Sequence, residues 1–193
     1  DNTEDNTSDD PFSWADPDVR RVSSLYIQGS SLLGTAKKVC QSGPWSVVVR
    51  SCRPDEPMNS QPVAGEAPFF FFYKSIFSKL GIKLPFIAFE HSVFRALNVA
   101  PIQLHPNSWA FVRAFVRAFE LLCEDWGRAP SLGMFFAVKV GWMSLSGRPR
   151  RKLPKPFLKS FKTFKDNFFK VGQGKNDTNI LADQTKNPYF SLY

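Results

Sequence analysis

The stretch His105-Pro-Asn-Ser-Trp-Ala-Phe-Val-Arg-Ala-Phe-Val-Arg-Ala-Phe-Glu-Leu-Leu-Cys-Glu-Asp-Trp-Gly127 is bounded as a helix should be. Asn107 or Ser108 offers a side-chain oxygen to the free amides of a first turn, and Gly127 can take the left-handed conformation that ends one. Between those ends Phe111, Phe115, Phe119, Leu122 and Trp126 recur at steps of three and four, which sets them in one apolar stripe. Arg113, Arg117, Glu120 and Glu124 follow the same steps, displaced by two residues and so roughly 200° around the axis. One face calls for a core and the other for water.

Outward from this helix, the flanking segments read mostly as helical. Tyr73, Ile76, Phe77 and Leu80 share one side of a helix starting near Phe72 and ending at Gly81, the four phenylalanines Phe69 to Phe72 serving as core. Pro85 opens the next helix, in which Phe86, Phe89, Val93 and Leu97 keep the period. Leu132 to Val140 is too short for periodicity to separate helix from buried strand, and Gly141 to Gly147 alternates like a hairpin strand closed by Gly147-Arg-Pro-Arg150. Phe157, Phe161, Phe164 and Phe168 form a further helical stripe opposed by Lys155, Lys159 and Lys162. Toward the N-terminus, Asp16-Pro17-Asp18 caps a short helix reaching about Gln28, and Trp45 to Val49 reads as a strand. The expected fold is thus mainly α: a small helical domain over 67–172 with a short β-hairpin. An acidic disordered tail over 1–18, a poorly defined segment and linker over 19–66 and a disordered tail over 173–193 flank it. The boundary falls in Arg53 to Ala67, which holds Pro54, Pro57, Pro62 and Gly65.

Charge is distributed unevenly. The formal net charge is +8, yet residues 1–18 hold seven carboxylates and no Lys or Arg, so the remainder carries +15. From Lys139 to Lys170 ten cations face Asp166 alone, +9 in 32 residues. Such a field attracts polyanions or keeps a chain in solution. The competing reading is a solvated face whose phenylalanines are core, because rings at a helical step point inward, away from any base.

Catalytic patterns fail on inspection. Gly29 to Gly34 has phosphate-loop spacing, but Thr35 and Ala36 occupy the places of the lysine and the metal-binding hydroxyl. Cys40, Cys52 and Cys123 lie 12 and 71 positions apart, which suits neither zinc nor a disulfide framework and fits buried thiols in a reducing compartment. Asp177-Thr-Asn179 lacks the glycine of an aspartic-protease loop, no nucleophile elbow exists, and His91 and His105 have no candidate nucleophile nearby. Glu120, Glu124 and Asp125 share one helix, where Arg117 with Glu120 and Glu124 with Arg128 make surface pairs. The longest apolar run, Pro68 to Tyr73, is far below the roughly 20 residues of a spanning helix. The acidic start carries no secretory signal, and its first residue, Asp1, suggests a fragment or processed chain.

Several ordered blocks between Pro68 and Val171, just over half of the chain, resemble the plant gypsy-type transposon domain family, labelled a gypsy-type transposase. They are Phe-Ser-Lys-Leu-Gly-Ile-Lys-Leu-Pro-Phe at 77–86, Leu-Asn-Val-Ala-Pro-Ile-Gln-Leu-His-Pro-Asn-Ser-Trp at 97–109, Ala-Pro-Ser-Leu at 129–132, Gly-Trp-Met-Ser-Leu at 141–145 and Phe-Lys-Thr-Phe-Lys-Asp-Asn-Phe-Phe-Lys-Val at 161–171. The resemblance implies a retroelement-derived domain, mostly helical with a small hairpin and without established catalytic residues. It also implies a strand near Phe168 to Val171, so the preceding helix is taken to end around Asp166. Two departures stand out. Ala-Phe-Val-Arg is repeated at 110–113 and 114–117, adding about 6 Å of helix and a rotation of roughly 40°; the partners of the stripe must shift or the first turn must loop out. The loop between Leu132 and Trp142 is shorter than the family's.

The expectation is a non-enzymatic, retroelement-derived scaffold or assembly module. Its candidate partners are DNA or RNA, bound through Arg148, Arg150, Arg151, Lys152, Lys155, Lys159, Lys162 and Lys165, and further copies of itself. A DNA-handling transposase-like protein of a mobile element and a degenerate fragment without activity stay open as alternatives. No catalytic residue, metal ligand, cofactor or small-molecule substrate is inferred. No membrane partner is expected, and the location expected is nucleus or cytoplasm, not the secreted space.

Overall fold

The aromatic run Phe69 to Tyr73 forms a strand, β2, in a computed structural model that describes residues 22–123, 131–139, 164–175 and 178–193. All five side chains are buried. A strand covered on both faces shows no alternation, so its sequence cannot be told by period from a buried helical turn. β2 pairs antiparallel with β3 (Phe168–Gln173), in the register Phe69 to Gly172 through Tyr73 to Phe168. The other edge of β3 takes β1 (Val47–Arg50), also antiparallel, from Val47 opposite Gln173 to Arg50 opposite Lys170. The order is β1-β3-β2.

The acidic tail expected over 1–18 lies outside the described residues, but this sheet overturns the expectation of a mainly helical domain. Its strands come from three distant parts of the chain, and none is joined to its neighbour by a tight turn. The central strand includes Phe168, which the helical stripe had claimed; the strand implied near Phe168 to Val171 is present and extends to Gln173. Of the C-terminal segment expected to fray, Ile180, Leu181 and Phe190 are core residues. β1 and the two carboxylates that hold β3 from beneath also lie N-terminal to Ala67, so the segment 47–66 packs on the same sheet.

One face of the sheet presents Phe70, Phe72 and Phe169. Phe70 and Phe72 meet Phe86 edge-on or tilted at 5.9 Å, Phe72 meets Trp109, and Phe70 meets Phe190 at 5.3 Å. The helices supply this cover. Residues 22–28, the described part of the helix expected to reach Gln28, form no helix, and a single 3-10 turn (Gly29–Leu32) and α1 (Thr35–Val39) follow them before β1. α2 (Lys74–Leu80) follows β2 directly, two residues later than its period suggests, and Gly81 ends it at φ +68°. α3 (Ala88–Leu97) buries Phe89, Val93 and Phe94 and starts three residues after Pro85, which was expected to open it. α5 (Leu132–Lys139) settles the open choice at 132–140 as helix, and its Phe135 packs on Phe89 and Phe115.

The long central helix, α4 (Pro106–Cys123), runs unbroken through both copies of Ala-Phe-Val-Arg. Its start lies one residue ahead of the expected caps. His105 accepts the Asn107 amide proton at Nδ1, 3.0 Å away, and Pro106 takes the first helical position, where no amide proton is needed. Trp109, Val112, Phe115 and Val116 are buried, so the apolar face is wider than the single stripe of phenylalanines. Arg117 and Glu120 stay exposed and form the expected pair at 3.0 Å.

The opposite face of the sheet carries Phe69, Phe71, Tyr73, Phe168 and Lys170. Phe71 and Phe168 meet edge-on at 5.5 Å, Tyr73 meets Phe164 at 5.0 Å, and Phe69 meets Tyr193. Among the described residues no helix is long and apolar enough to cross a membrane.

Because Phe72 touches Phe86, Trp109 and Phe169 and has no exposed surface, Phe72→Ala should cost about 3 to 5 kcal/mol of stability. Lys38→Ala, at an exposed position of α1, should stay within about 0.5 kcal/mol. Urea unfolding of both variants provides the comparison.

Candidate functional site

Of the eight basic residues singled out for nucleic acid, Arg148, Arg150, Arg151, Lys152, Lys155, Lys159 and Lys162 lie outside the described residues, as do the hairpin at 141–147 and the pair Glu124 with Arg128. Lys165 stands exposed in the turn that leads into β3. Just before it, Phe164 is buried between Tyr73 and His105, with ring centroids 5.0 and 4.7 Å away. The basic run is therefore fastened at its C-terminal end to the sheet and to the start of α4. Lys170, counted in the same charge run, is withdrawn from any such surface.

Lys170 lies on β3 with only 2 % of its surface exposed. Its ammonium stands 2.7 Å from Glu56 and 3.1 Å from Glu66, and 4.3 Å from the centroid of Phe69. Glu56 Oε1 also accepts from the Arg53 guanidinium at 2.7 Å, and Oε2 accepts the Arg53 amide proton at 2.8 Å. Two carboxylates and two cations balance, and both oxygens of the buried Glu56 are occupied. This closed arrangement makes a clamp between the segment 53–66 and the central strand, with no ligating capacity left over.

A polar cavity of about 430 Å³ opens between the segment 81–87, the residues after α1 and one side of α4. Lys83, Glu90, Arg113, Arg117 and Glu120 line it, with Gln41 opposite. Each is placed by local structure. Gln41 is fixed by its amide, which donates to the Pro85 carbonyl at 2.7 Å, and by its own backbone N–H on the Leu84 carbonyl at 2.6 Å. Glu90, in the first turn of α3, accepts the Ile87 amide proton at 3.0 Å. Arg113 and Arg117 are one turn apart on α4 and point to the same opening because the tetrapeptide repeat duplicates an arginine at the helical step. Burial pushes the Glu90 carboxyl up to about 7, against the Ile87 amide and Arg113, which favour its charged form. The pattern of the sequence placed Arg113, Arg117 and Glu120 on a solvated helix face; Lys83 and Glu90 carried no signal, since only the fold brings 81–90 against α4.

The remaining titratable groups serve packing. His91 stacks on Tyr189 with centroids 4.5 Å apart, and burial, then Arg95, lowers it to about 4. His105 caps α4 and is lowered by burial. Cys52 is buried behind β3, and burial raises its thiol to about 11, which leaves it protonated and unreactive at neutral pH. Cys40 and Cys52 are free thiols. Among the described residues no three His, Cys, Asp or Glu side chains converge as metal ligands.

Removing one member of the clamp strands a buried charge, so Glu56→Ala should lower stability by about 3 to 5 kcal/mol, and adding Lys170→Met should restore part of it; a double-mutant cycle of urea midpoints reads this out. The neutral form of Glu90 stabilises the fold fully below the unfolded carboxylate pKa of 4.5, and that contribution is lost as pH rises through about 7. Glu90→Gln keeps an acceptor for Ile87 without a charge. Between about pH 5 and 8 its stability should therefore gain on the wild type by on the order of 2 to 3 kcal/mol, measured by unfolding at each pH.

No family model matches the chain, and no curated protein or solved structure matches it either.

Proposed function

We propose that the chain is a non-catalytic scaffold or assembly module of retroelement origin that holds DNA or RNA electrostatically. The observation that carries this reading is the run from Arg148 to Lys165, eight cations without a single carboxylate. Its C-terminal end is fastened to the body through the buried ring of Phe164. Phosphates neutralised by lysine and arginine release counterions, so such binding is strong at low salt and indifferent to base sequence. The large rings of the body, Phe69 to Phe72, Phe94, Trp109, Phe115, Phe168 and Phe169, are fully buried and packed on one another, which suits a rigid support and leaves no base to stack on them. The resemblance to gypsy-type transposon domains points the same way, with the nucleus or cytoplasm as the place of action and self-association as the means of assembly.

Fluorescence anisotropy with labelled DNA and RNA across a salt series tests the reading. If about half of the eight cations engage phosphates, affinity should fall on the order of a hundredfold between roughly 50 and 200 mM salt. Lys159→Glu with Lys162→Glu should weaken binding to all sequences alike and flatten the slope. A slope near zero, unchanged in that variant, sinks the nucleic-acid reading, and metal-dependent strand cleavage by the purified chain sinks the non-catalytic one.

A further inference from the structure

We propose that the polar cavity between the segment 81–87 and α4 binds a phosphate monoester carried by a small molecule, with Arg113 and Lys83 as its counter-charges. The volume, about 430 Å³, falls in the range of small-molecule sites, roughly 300 to 1,000 Å³. Its charges are not matched internally. Glu120 is taken by Arg117 at 3.0 Å, while Arg113 and Lys83 make no ion pair with a described carboxylate. Glu90 sits at the wall with 3 % exposure, and burial raises its carboxyl to about 7, which weakens it as a counter-charge below that pH. An arginine and a lysine that face a concave opening without an ion-paired carboxylate form an acceptor for a compact anion.

The donor set selects phosphate over a carboxylate. A carboxylate has two oxygens in one plane and a single charge, which one guanidinium fork can meet. A terminal phosphate carries nearly two charges and three strong acceptor oxygens. Arg113 and Lys83, which line the opening, would share those oxygens, with Arg117 one turn further along the same wall. A phosphodiester inside a strand has one charge and is flanked by sugars on both sides, which the concave opening disfavours. The proposal draws on no residue of the basic run 148–165, so it does not rest on the proposed nucleic-acid binding.

Calorimetric titration of the full chain with inorganic phosphate and adenosine 5′-monophosphate provides the test, with a 5′-phosphorylated and a 5′-hydroxyl oligonucleotide as further arms. Saturable one-site binding of the first two is expected, weakened about tenfold or more by Arg113→Gln and by Lys83→Gln, and unchanged by Lys159→Glu with Lys162→Glu. Should the 5′-phosphorylated oligonucleotide bind tenfold tighter than adenosine 5′-monophosphate, in an Arg113-dependent way, the phosphate site stands but its source is a nucleic-acid end. Amide shifts in the wild-type chain give a reading that no variant's folding can confound: phosphate should move the resonances of Lys83, Glu90 and Arg113. No saturation up to about 10 mM phosphate, or shifts confined to other residues, overturns the proposal.

Discussion

A strand buried on both faces obliges the chain to supply two covers, and β2 is such a strand. Its five consecutive aromatic residues cannot be divided between core and water, as alternation would allow. Phe70 and Phe72 require one layer, met by Trp109 of α4, by Phe86 from the segment before α3 and by Phe190 near the C-terminus. Phe69, Phe71 and Tyr73 require a second layer, supplied among the described residues by the segment 51–66, Phe164 and the last residues up to Tyr193. The contacts are mostly edge-to-face, the arrangement ring quadrupoles prefer. Stability of the whole body therefore rests on parts of the chain that look least structured when read alone.

The second layer is irregular, and Lys170 explains how it is held. A lysine at the centre of a sheet must find opposite charge or forfeit its solvation. Glu56 and Glu66 provide it from a segment rich in proline and glycine, and Arg53 completes the balance. The clamp orders backbone that has no ladder of its own, and it ties the residues before β2 to a strand more than a hundred positions later. The same demand removes Lys170 from the basic field, so that the charge available to a polyanion ends at Lys165.

Arg113 and Arg117 show the opposite use of charge. The repeated tetrapeptide leaves α4 unbroken, since a four-residue step turns the apolar face by only roughly 40° and the face is wide enough to absorb the turn. What the duplication adds is a second arginine on the polar side. With Lys83 brought across by the segment after α2, the polar side of an amphipathic helix becomes one wall of a cavity.

Local signals established a good part of this protein. The central helix, the stop at Gly81, the pairing of Arg117 with Glu120, a strand near 47 and the apolar identity of Phe89, Val93 and Phe115 all follow from spacing or from a single residue's backbone preference, which act over a turn or two. The sheet did not follow, because its strands pair across about a hundred residues or more and β2, covered on both faces, carries no period to reveal it. Nor did the function of the segment 53–66, whose composition reads as linker until Lys170 is placed beside it. The basic run was legible as charge alone. The cavity was not legible at all: Arg113 and Arg117 were visible as neighbours on one helix face, but Lys83 and Glu90 reach them only once the sheet and its two covers have fixed where the segment 81–90 lies. Sequence determines which residues want burial and which want charge within a few positions of each other; only the tertiary structure decides which distant segments satisfy those wants, since that depends on the packing of every other element at once.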